Sequence, residues 1–300
     1  MHLLVAVDGS EFSQWAVDAL ALFAGHGVER VSLVHTIDAQ MPKRSGAPTP
    51  TRMAHLVRRL DTRGNTLLCS MSQRASLALG QGRTGAAISI DTTIVQGRPG
   101  PSLVLEAKRR RADTILLGSR GLSDIRGFLL GSVSRYVAAH SPCPVLVVKR
   151  PLRSLRRMVL AVDASKPSRA AAQFAVDTWL DAGTAVSVVS VANSGLTDLA
   201  ADVLSATDVQ KLVQPHLDEA EAVVEVTRTK LLPTGCTVTT HVAAGHPSEA
   251  ILEQAKSTQA ELIVVGSRGL LGDQRLLLGS VAETVLKYAG CSVAVVRQAR

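Results

Sequence analysis

Cysteines, aromatic residues and long apolar runs are all scarce in this chain. Its 300 residues include four scattered cysteines and no C-x-x-C pair, so neither a disulfide framework nor a cysteine-based zinc or redox site is expected. Aromatic residues make up 3%, which leaves few surfaces on which nucleic-acid bases could stack. No apolar run reaches the length of a membrane span, and the amino terminus lacks the features of a targeting signal. We therefore expect a cytoplasmic protein with reduced thiols and no membrane partner.

Charge is also sparse, and it is unevenly distributed. Charged residues make up 19% and hydrophobic residues 46% of the 300 residues, a balance that excludes a disordered chain and suits two folded domains of ordinary size. Much of the formal net charge of +8 comes from short basic blocks at Lys108–Ala112 and Lys149–Arg157. We interpret these blocks as a solvated helix end and a linker, so the sequence argues against nucleic acid as a partner.

An internal repeat organises the chain. The segment LLVAVDGS at Leu3–Ser10 resembles MVLAVDAS at Met158–Ser165, and GRPGPSLVLEAKRRRADTILLGSRG resembles GHPSEAILEQAKSTQAELIVVGSRG further along. A repeat of this length indicates two copies of one domain rather than one large domain. We predict the domains to span residues 1–150 and 157–298.

Each copy contains five short apolar runs separated by helical stretches, which is typical of an α/β fold with a parallel sheet covered by helices on both faces. The runs are continuous rather than alternating, as expected for strands buried on both faces. The predicted strands are Leu3–Val7, Val31–His35, Thr92–Val95, Thr114–Leu117 and Val145–Val148 in the first copy, and Val159–Val162, Val186–Val191, Thr237–Val242, Leu262–Val265 and Val293–Val296 in the second. First helices are predicted at Glu11–Ala24 and Pro167–Leu180, each beginning after a serine.

The two copies differ most in the segment before the third strand. In the first copy, Ala39–Ser89 begins as a proline-rich basic loop and continues as only a fair helix, and we interpret it as a candidate mobile lid. Its counterpart at Ala206–Leu232 is a better amphipathic helix. Pro215 must begin or kink that helix, because proline lacks the N–H group that a helix interior requires.

Two glycine clusters follow the fourth strand of the first copy. The strand leads directly into GSRG at Gly118–Gly121, at the sheet edge where α/β folds bind ligands, and glycine lets main-chain N–H groups approach a ligand closely. Gly131 and Ser132 then precede a helix, whose amino terminus is a natural phosphate site. The chain has no P-loop lysine, no G-x-G-x-x-G after the first strand and no nucleophile-elbow glycine, which argues against those nucleotide and hydrolase sites. The histidines show no H-x-x-x-H spacing, and no metal site is predicted.

Both copies contain Gly, two residues, Gly, nine residues, and Gly followed by Ser. The residues concerned are Gly118, Gly121, Gly131 and Ser132, and Gly266, Gly269, Gly279 and Ser280. This pattern resembles the ATP-binding branch of the universal stress protein family, here as a tandem pair, and the resemblance covers nearly the whole chain. It implies two doubly wound five-stranded parallel sheets of strand order 3-2-1-4-5, of the adenine nucleotide alpha-hydrolase-like type. The resemblance also implies ATP, with or without Mg, in the crevice between strands one and four, which is the topological switch point.

The resemblance also implies site residues: Asp8 would bond the adenosine, Thr36 would offer its backbone to the adenine, and the glycine loops would line the ribose and phosphates. In the first copy they are Asp8, Thr36, Gly118, Ser119, Arg120, Gly121, Gly131, Ser132, Val133 and Ser134. In the second copy they are Asp163, Val191, Gly266, Ser267, Arg268, Gly269, Gly279, Ser280 and Val281. Ala282 replaces the hydroxyl of Ser134, which removes one phosphate contact and favours the first site. Two alternatives stay open: both aspartates as helix caps, and both arginines pointing to solvent.

The function that the sequence favours is an ATP-binding regulatory protein with a role in stress response. Its nucleotide state would order loops and so change the binding of a regulatory partner that the sequence does not identify. No catalytic residue is predicted, because neither copy has a P-loop lysine or an evident carboxylate cluster beside the phosphates, so weak ATP hydrolysis at most is expected. Two alternatives remain: a slow ATPase or other nucleotide-dependent enzyme, and an interaction module without nucleotide, whose glycines only form turns.

Assembly is predicted from the fifth strands, which end open sheets and present unpaired edges. Relatives resembling this chain pair at that strand. The resemblance therefore implies an intramolecular pseudo-dimer through Val145–Val148 and Val293–Val296, and a further homodimer remains open.

Overall fold

A computed structural model describes residues 1–38, 50–80, 88–122, 130–193, 205–269 and 278–297. The chain divides into two compact units, Met1–Ser154 and Leu155–Arg300. Both units are parallel α/β sheets with helical connections, as the alternation of apolar runs and helical stretches predicts.

The first unit has the strand order β3-β2-β1-β4-β5, and neighbouring strands pair in parallel. Its elements are β1 (His2–Ala6), α1 (Glu11–Asp18), a 3₁₀ turn (Ala19–Phe23), β2 (Arg30–Ile37), α2 (Pro50–Leu79), β3 (Ser89–Gln96), α3 (Pro99–Arg110), β4 (Thr114–Gly118), α4 (Ser132–His140) and β5 (Val145–Val148). Helices α1 and α2 pack against each other, as do α3 and α4, and the two pairs cover opposite faces of the sheet.

The second unit repeats this arrangement with the strand order β8-β7-β6-β9-β10. Its elements are β6 (Arg157–Ala161), α5 (Lys166–Thr178), β7 (Ala185–Asn193), α6 (Ala206–Leu231), a 3₁₀ turn (Leu232–Thr234), β8 (Thr237–Gly245), α7 (Pro247–Ser257), β9 (Leu262–Gly266), α8 (Ser280–Tyr288) and β10 (Ser292–Val296). Numbered within each unit, both sheets have the order 3-2-1-4-5. The predicted α/β class and sheet order are confirmed.

The central strands form because their side chains are apolar on both faces of the sheet. Leu3, Leu4 and Val5 of β1 are fully buried, as are Ile115 and Leu116 of β4. Each such side chain contributes roughly 1.5–3 kcal/mol of hydrophobic stabilisation. These strands therefore hold the centre of the sheet, and their carboxyl ends mark the position of the candidate site.

The segment before β3 differs most from its prediction. Pro50–Leu79 forms one long helix, α2, in place of a loop followed by a fair helix, while residues 39–49 and 81–87 of the predicted lid lie outside the described residues. The buried side chains of Leu68, Met71 and Ala75 recur at helical spacing and attach α2 to the unit. The carboxyl-terminal half of this helix is therefore part of the packed core.

Helix α6 contains Pro215 in its interior, well after its first residue, so of the two predicted alternatives the one in which this proline begins the helix is excluded. The cap is Ser205, whose hydroxyl accepts a hydrogen bond from Asp208 N at 3.3 Å. Among the helices that the structure describes, including the long α2 and α6, none is both long and apolar enough to cross a membrane.

Helix α2 is also attached to α1 by an ion pair. The Asp18 carboxylate, at the end of α1 and 5% exposed, accepts hydrogen bonds from Arg74 Nε and Nη2 at 2.7 and 2.8 Å. Arg153 Nη2 donates to the same carboxylate at 2.8 Å. Burial alone would raise the pKa of Asp18, but the hydrogen bonds and charges of the two arginines outweigh it and lower that pKa below its usual value.

We expect Asp18→Asn to lower the free energy of unfolding of the first unit by about 1–3 kcal/mol at pH 7, because two guanidinium groups lose their charged partner. The folded-state pKa of Asp18 lies below the unfolded value, so its contribution is present above about pH 4 and is lost as pH falls through the folded pKa. Urea unfolding at a series of pH values should show the difference between variant and wild type shrinking in acid. Asp177→Asn, at an exposed carboxylate of α5, is the control. A constant difference down to pH 3 would contradict this account.

Candidate functional site

The candidate site of each unit lies at the carboxyl edge of the sheet, between its first and fourth strands. In the first unit, Ser119 follows β4 and its N–H donates to Val148 O at 2.8 Å, while Gly131 N donates to Ser119 O at 2.8 Å. The second unit repeats both bonds, from Ser267 N to Val296 O at 2.7 Å and from Gly279 N to Ser267 O at 2.8 Å. These bonds bring both glycine clusters together at the switch point of the sheet.

The glycines allow close internal contacts. A Cβ atom on Gly118 would lie 2.6 Å from the carbonyl carbon of Phe12 in the first turn of α1. On Gly269 it would lie 2.7 Å from the Asp163 carboxylate. Gly279 is similarly confined, with Arg268 Cα at 3.2 Å. Packing within the unit therefore favours glycine at these three positions, a role that the sequence alone does not reveal.

Asp8 connects the loop after the first strand of its unit with the loop after the fourth, and Asp163 lies beside Gly269 of the equivalent loop. Asp8 Oδ1 accepts from Ser10 N at 2.9 Å and Oδ2 accepts from Leu122 N at 3.2 Å, while Asp163 Oδ1 accepts from Ser165 N at 3.0 Å. The helix caps are Ser10 for α1 and Ser165 for α5. The alternative that the aspartates cap these helices is therefore wrong, and the serine two residues later was the signal for the true cap.

Thr36 and Val191 occupy equivalent positions near the ends of β2 and β7. Val7 N donates to Val34 O at 2.9 Å, so Val34 turns its main-chain groups toward β1. Successive residues of a strand alternate in this direction, so Thr36 also faces that side, beyond the last residue of β1. Val191 has the same relation to β6, because Val162 N donates to Val189 O at 2.8 Å. The equivalent main-chain groups therefore face the same side in both units, whether the side chain is polar or apolar.

Helices α4 and α8 begin beside the glycine loops without a capping side chain. Their N-cap residues are Gly131 and Gly279, and neither makes a side-chain cap hydrogen bond. The first helical bond of α4 runs from Arg135 N to Gly131 O, so the N–H groups of Ser132, Val133 and Ser134 have no partner within the helix. In α8, the equivalent groups belong to Ser280, Val281 and Ala282. Each helix thus presents a positive amino terminus to the crevice.

The hydroxyl of Ser134 is directed into the protein. Ser134 is 2% exposed, and its Oγ donates within hydrogen-bond distance of both Ser119 O, at 2.8 Å, and Gly131 O, at 3.0 Å. The expectation that this hydroxyl supplies a phosphate contact is therefore contradicted. Ala282 is equally buried at the equivalent position, so its missing hydroxyl gives no reason to prefer the first site.

Arg120 lies against the aromatic ring of Phe12, in the first turn of α1. Its Cζ is 4.5 Å from the centroid of the Phe12 ring, and its Nε is buried. The alternative that Arg120 points to solvent is therefore wrong. The closeness of Phe12 to GSRG could not be inferred from spacing, because the two segments meet only in the folded unit.

Comparison with known proteins follows the same division of the chain. The model of the universal stress protein family matches residues 1–149 and again residues 154–297. The chain belongs to the universal stress protein family. A full-length relative is a universal stress protein of Mycobacterium tuberculosis (strain ATCC 25618 / H37Rv), 26% identical over 307 aligned residues, which cover 99% of this chain and 97% of the relative. A single-domain relative from Thermus aquaticus is 33% identical over 148 residues, covering 49% of this chain and 97% of the relative.

Solved structures support the same fold assignment. The crystal structure of a universal stress protein from Archaeoglobus fulgidus DSM 4304 has a TM-score of 0.69 at 23% identity, covering 99% of this chain and 96% of that one. At that identity, the likeness concerns the fold alone. This chain is thus a tandem universal stress protein whose two units share the family's α/β fold.

We expect Gly118→Ala to lower the free energy of unfolding by about 2–3 kcal/mol, because its methyl group would overlap main-chain atoms of Phe12. Gly183→Ala is a matched control, since its Cβ would meet only the flexible Asp181 carboxylate, at 3.3 Å. Chemical denaturation of both variants gives the free energies of unfolding that are to be compared. Equal stability of the two variants would show that the contact at Gly118 relaxes without cost.

Proposed function

We propose that each unit binds one adenine nucleotide, ATP, in the crevice between its first and fourth strands, and that the protein has a regulatory role in stress response. The observation that carries this proposal is the uncapped start of α4 and α8. Helices α1 and α5 begin at serines whose side chains accept from the first turn, whereas α4 and α8 begin at glycines that leave those N–H groups for another acceptor. A phosphate group is the ligand that such a helix start favours.

The remaining site residues suit the other parts of a nucleotide. The Asp8 and Asp163 carboxylates can accept from ribose hydroxyl groups, and the main chain at Thr36 and Val191 faces the side where an adenine edge would lie. Among the described residues, no group of three histidine, cysteine or acidic side chains could hold a metal ion. A Mg²⁺ ion bound with ATP would therefore take its ligands mainly from phosphate oxygens and water, as Mg²⁺ commonly does.

A regulatory role is favoured over catalysis by the chemistry available at the site. Phosphoryl transfer needs a positioned nucleophile and charge neutralisation, and the contacts described here supply backbone donors and one arginine per loop. A specific observation also favours the interaction module, because internal packing favours glycine at Gly118, Gly266, Gly269 and Gly279 without any ligand. The pairing of the fifth strands, a regulatory partner and a cytoplasmic location stay predictions.

Replacing the exposed first residue of α4 or α8 tests the proposal. In Ser132→Glu and Ser280→Glu, a carboxylate at the helix start interacts favourably with the helix dipole but repels the phosphates, so the fold is kept while nucleotide binding is lost. Calorimetric titration with ATP should give two sites per chain for wild type and one for each variant. The amount of nucleotide extracted from freshly purified protein should likewise be lower for each variant than for wild type.

Ser132→Gln and Ser280→Gln are the matched controls, since they keep the side-chain size without the charge. They should retain both ATP sites with a Kd within about fivefold of wild type, because loss of one neutral hydrogen bond costs about 1 kcal/mol. No ATP binding by folded wild-type protein would favour the interaction module instead. Phosphate release well above that of a buffer blank would favour the slow ATPase.

A further inference from the structure

The outer side of α6 is exposed and partly apolar. Its side chains recur at alternating intervals of three and four residues, opposite the buried Ala220 and Val224. They are Leu212, Pro215, Glu219, Ala222, Val226 and Thr229, which together we call the α6 face. Leu212 is 52% and Val226 is 72% exposed. Two helices pack along each other through residues with this spacing, so the α6 face suits contact with a second helix.

Negative charge borders the α6 face. Asp218, Glu219 and Glu221 are exposed, and none of them forms an ion pair with another residue that the structure describes. Asp218 instead accepts a hydrogen bond from the uncharged Gln214 amide at 2.8 Å. Like charges that face each other are unfavourable, so two copies of α6 would repel each other. A helix that docks here should therefore carry positive charge.

Helix α2 has the equivalent position in the first unit and carries positive charge. It packs on β2 and β3 as α6 packs on β7 and β8. Its outward side chains are all exposed, follow the same spacing and are Arg59, Arg63, Thr66, Ser70, Gln73 and Leu77, which together we call the α2 face. Leu77 is 84% exposed, and Asp61 is the only acidic residue of the helix. Within the described part of the chain, Arg59 and Arg63 form no ion pair, and neither does the adjacent Arg58.

We propose that the α2 face of one copy of this chain docks on the α6 face of a second copy, with Arg59 and Arg63 against its acidic border. The charges select the partner and its orientation, while burial of Leu77, Leu212 and Val226 supplies the favourable apolar contact. The contact joins unlike surfaces, so it can repeat from one copy to the next. This inference goes beyond the proposed function, does not depend on nucleotide and uses a different surface from the fifth strands.

Sedimentation velocity of the full chain at increasing concentrations tests the contact. Wild type should have a mass above the 31.6 kDa of one chain, rising with concentration and falling with added salt, because salt screens exposed charges. Arg59→Glu with Arg63→Glu should weaken association about tenfold or more, since attraction between the faces becomes repulsion. Glu219→Arg with Glu221→Arg should have the same effect. The chain with all four substitutions should associate again, because its two faces have exchanged their charges.

Lys108→Glu with Lys256→Glu is the matched control and should associate as wild type does. These exposed lysines lie at equivalent positions of α3 and α7, outside both faces, and their replacement changes the net charge as much as the arginine pair does. Val226→Ser changes no charge and should weaken association about fivefold at any salt concentration, because less apolar surface is buried.

Three results would each overturn the inference. One is a wild type that stays monomeric at every concentration. Another is association that neither charge reversal weakens, because the copies would then meet through another surface, such as the fifth strands. The third is failure of the chain with all four substitutions to associate while circular dichroism shows it folded, because the two faces would then not contact each other.

Discussion

The geometry of each site depends on one close contact, between the end of the fourth strand and the first turn of the first helix. At Gly118 and Gly266 the main chain of the strand approaches the helix so closely that a Cβ atom would lie 2.6 and 2.9 Å from a carbonyl carbon. This contact fixes α1 against β4, and it brings the Ser10 cap within reach of the Arg120 carbonyl group. The crevice is therefore built by packing, and its polar groups are placed before any ligand binds.

The fold was largely predictable because buried parallel strands produce continuous apolar runs. The ends of the strands were less predictable. Strand β3 begins at Ser89, before the predicted Thr92, because polar residues of an edge strand still pair through the backbone. The length of helix α2 was underestimated for a different reason. A glycine inside a helix costs about 1 kcal/mol, so its presence in the sequence predicts a break. Gly64 nevertheless lies within α2. The close approach of Ile94 explains a glycine there, since a Cβ atom would come within 2.9 Å of that side chain.

The location of the glycine clusters was easier to predict than the contacts of the side chains beside them. Residue spacing located both glycine clusters at one sheet edge, because the ends of neighbouring parallel strands meet there. It could not show that Ser134 is buried or that Phe12 lies beneath Arg120, since both facts depend on side-chain directions set by tertiary packing. Sequence reasoning thus identified which atoms are near the crevice, and the structure shows which of them remain available to a ligand.

The two units resemble each other more closely at the carboxyl edges of their sheets than at the amino edges. At the amino edge of the first unit, Arg110 Nη1 donates to Asp91 at 2.7 Å and to Ser32 Oγ at 3.1 Å, whereas in the second unit Gln254 Nε2 donates to Ser187 Oγ at 2.9 Å. The same fold therefore accepts a charged or a neutral network there. At the carboxyl edge both units have GSRG and a later GS, and close packing favours glycine at Gly118 in the first unit and at Gly266, Gly269 and Gly279 in the second. Under the proposed function, the repeated serine and arginine beside these glycines are what a common ligand at the carboxyl edge of both sheets would require.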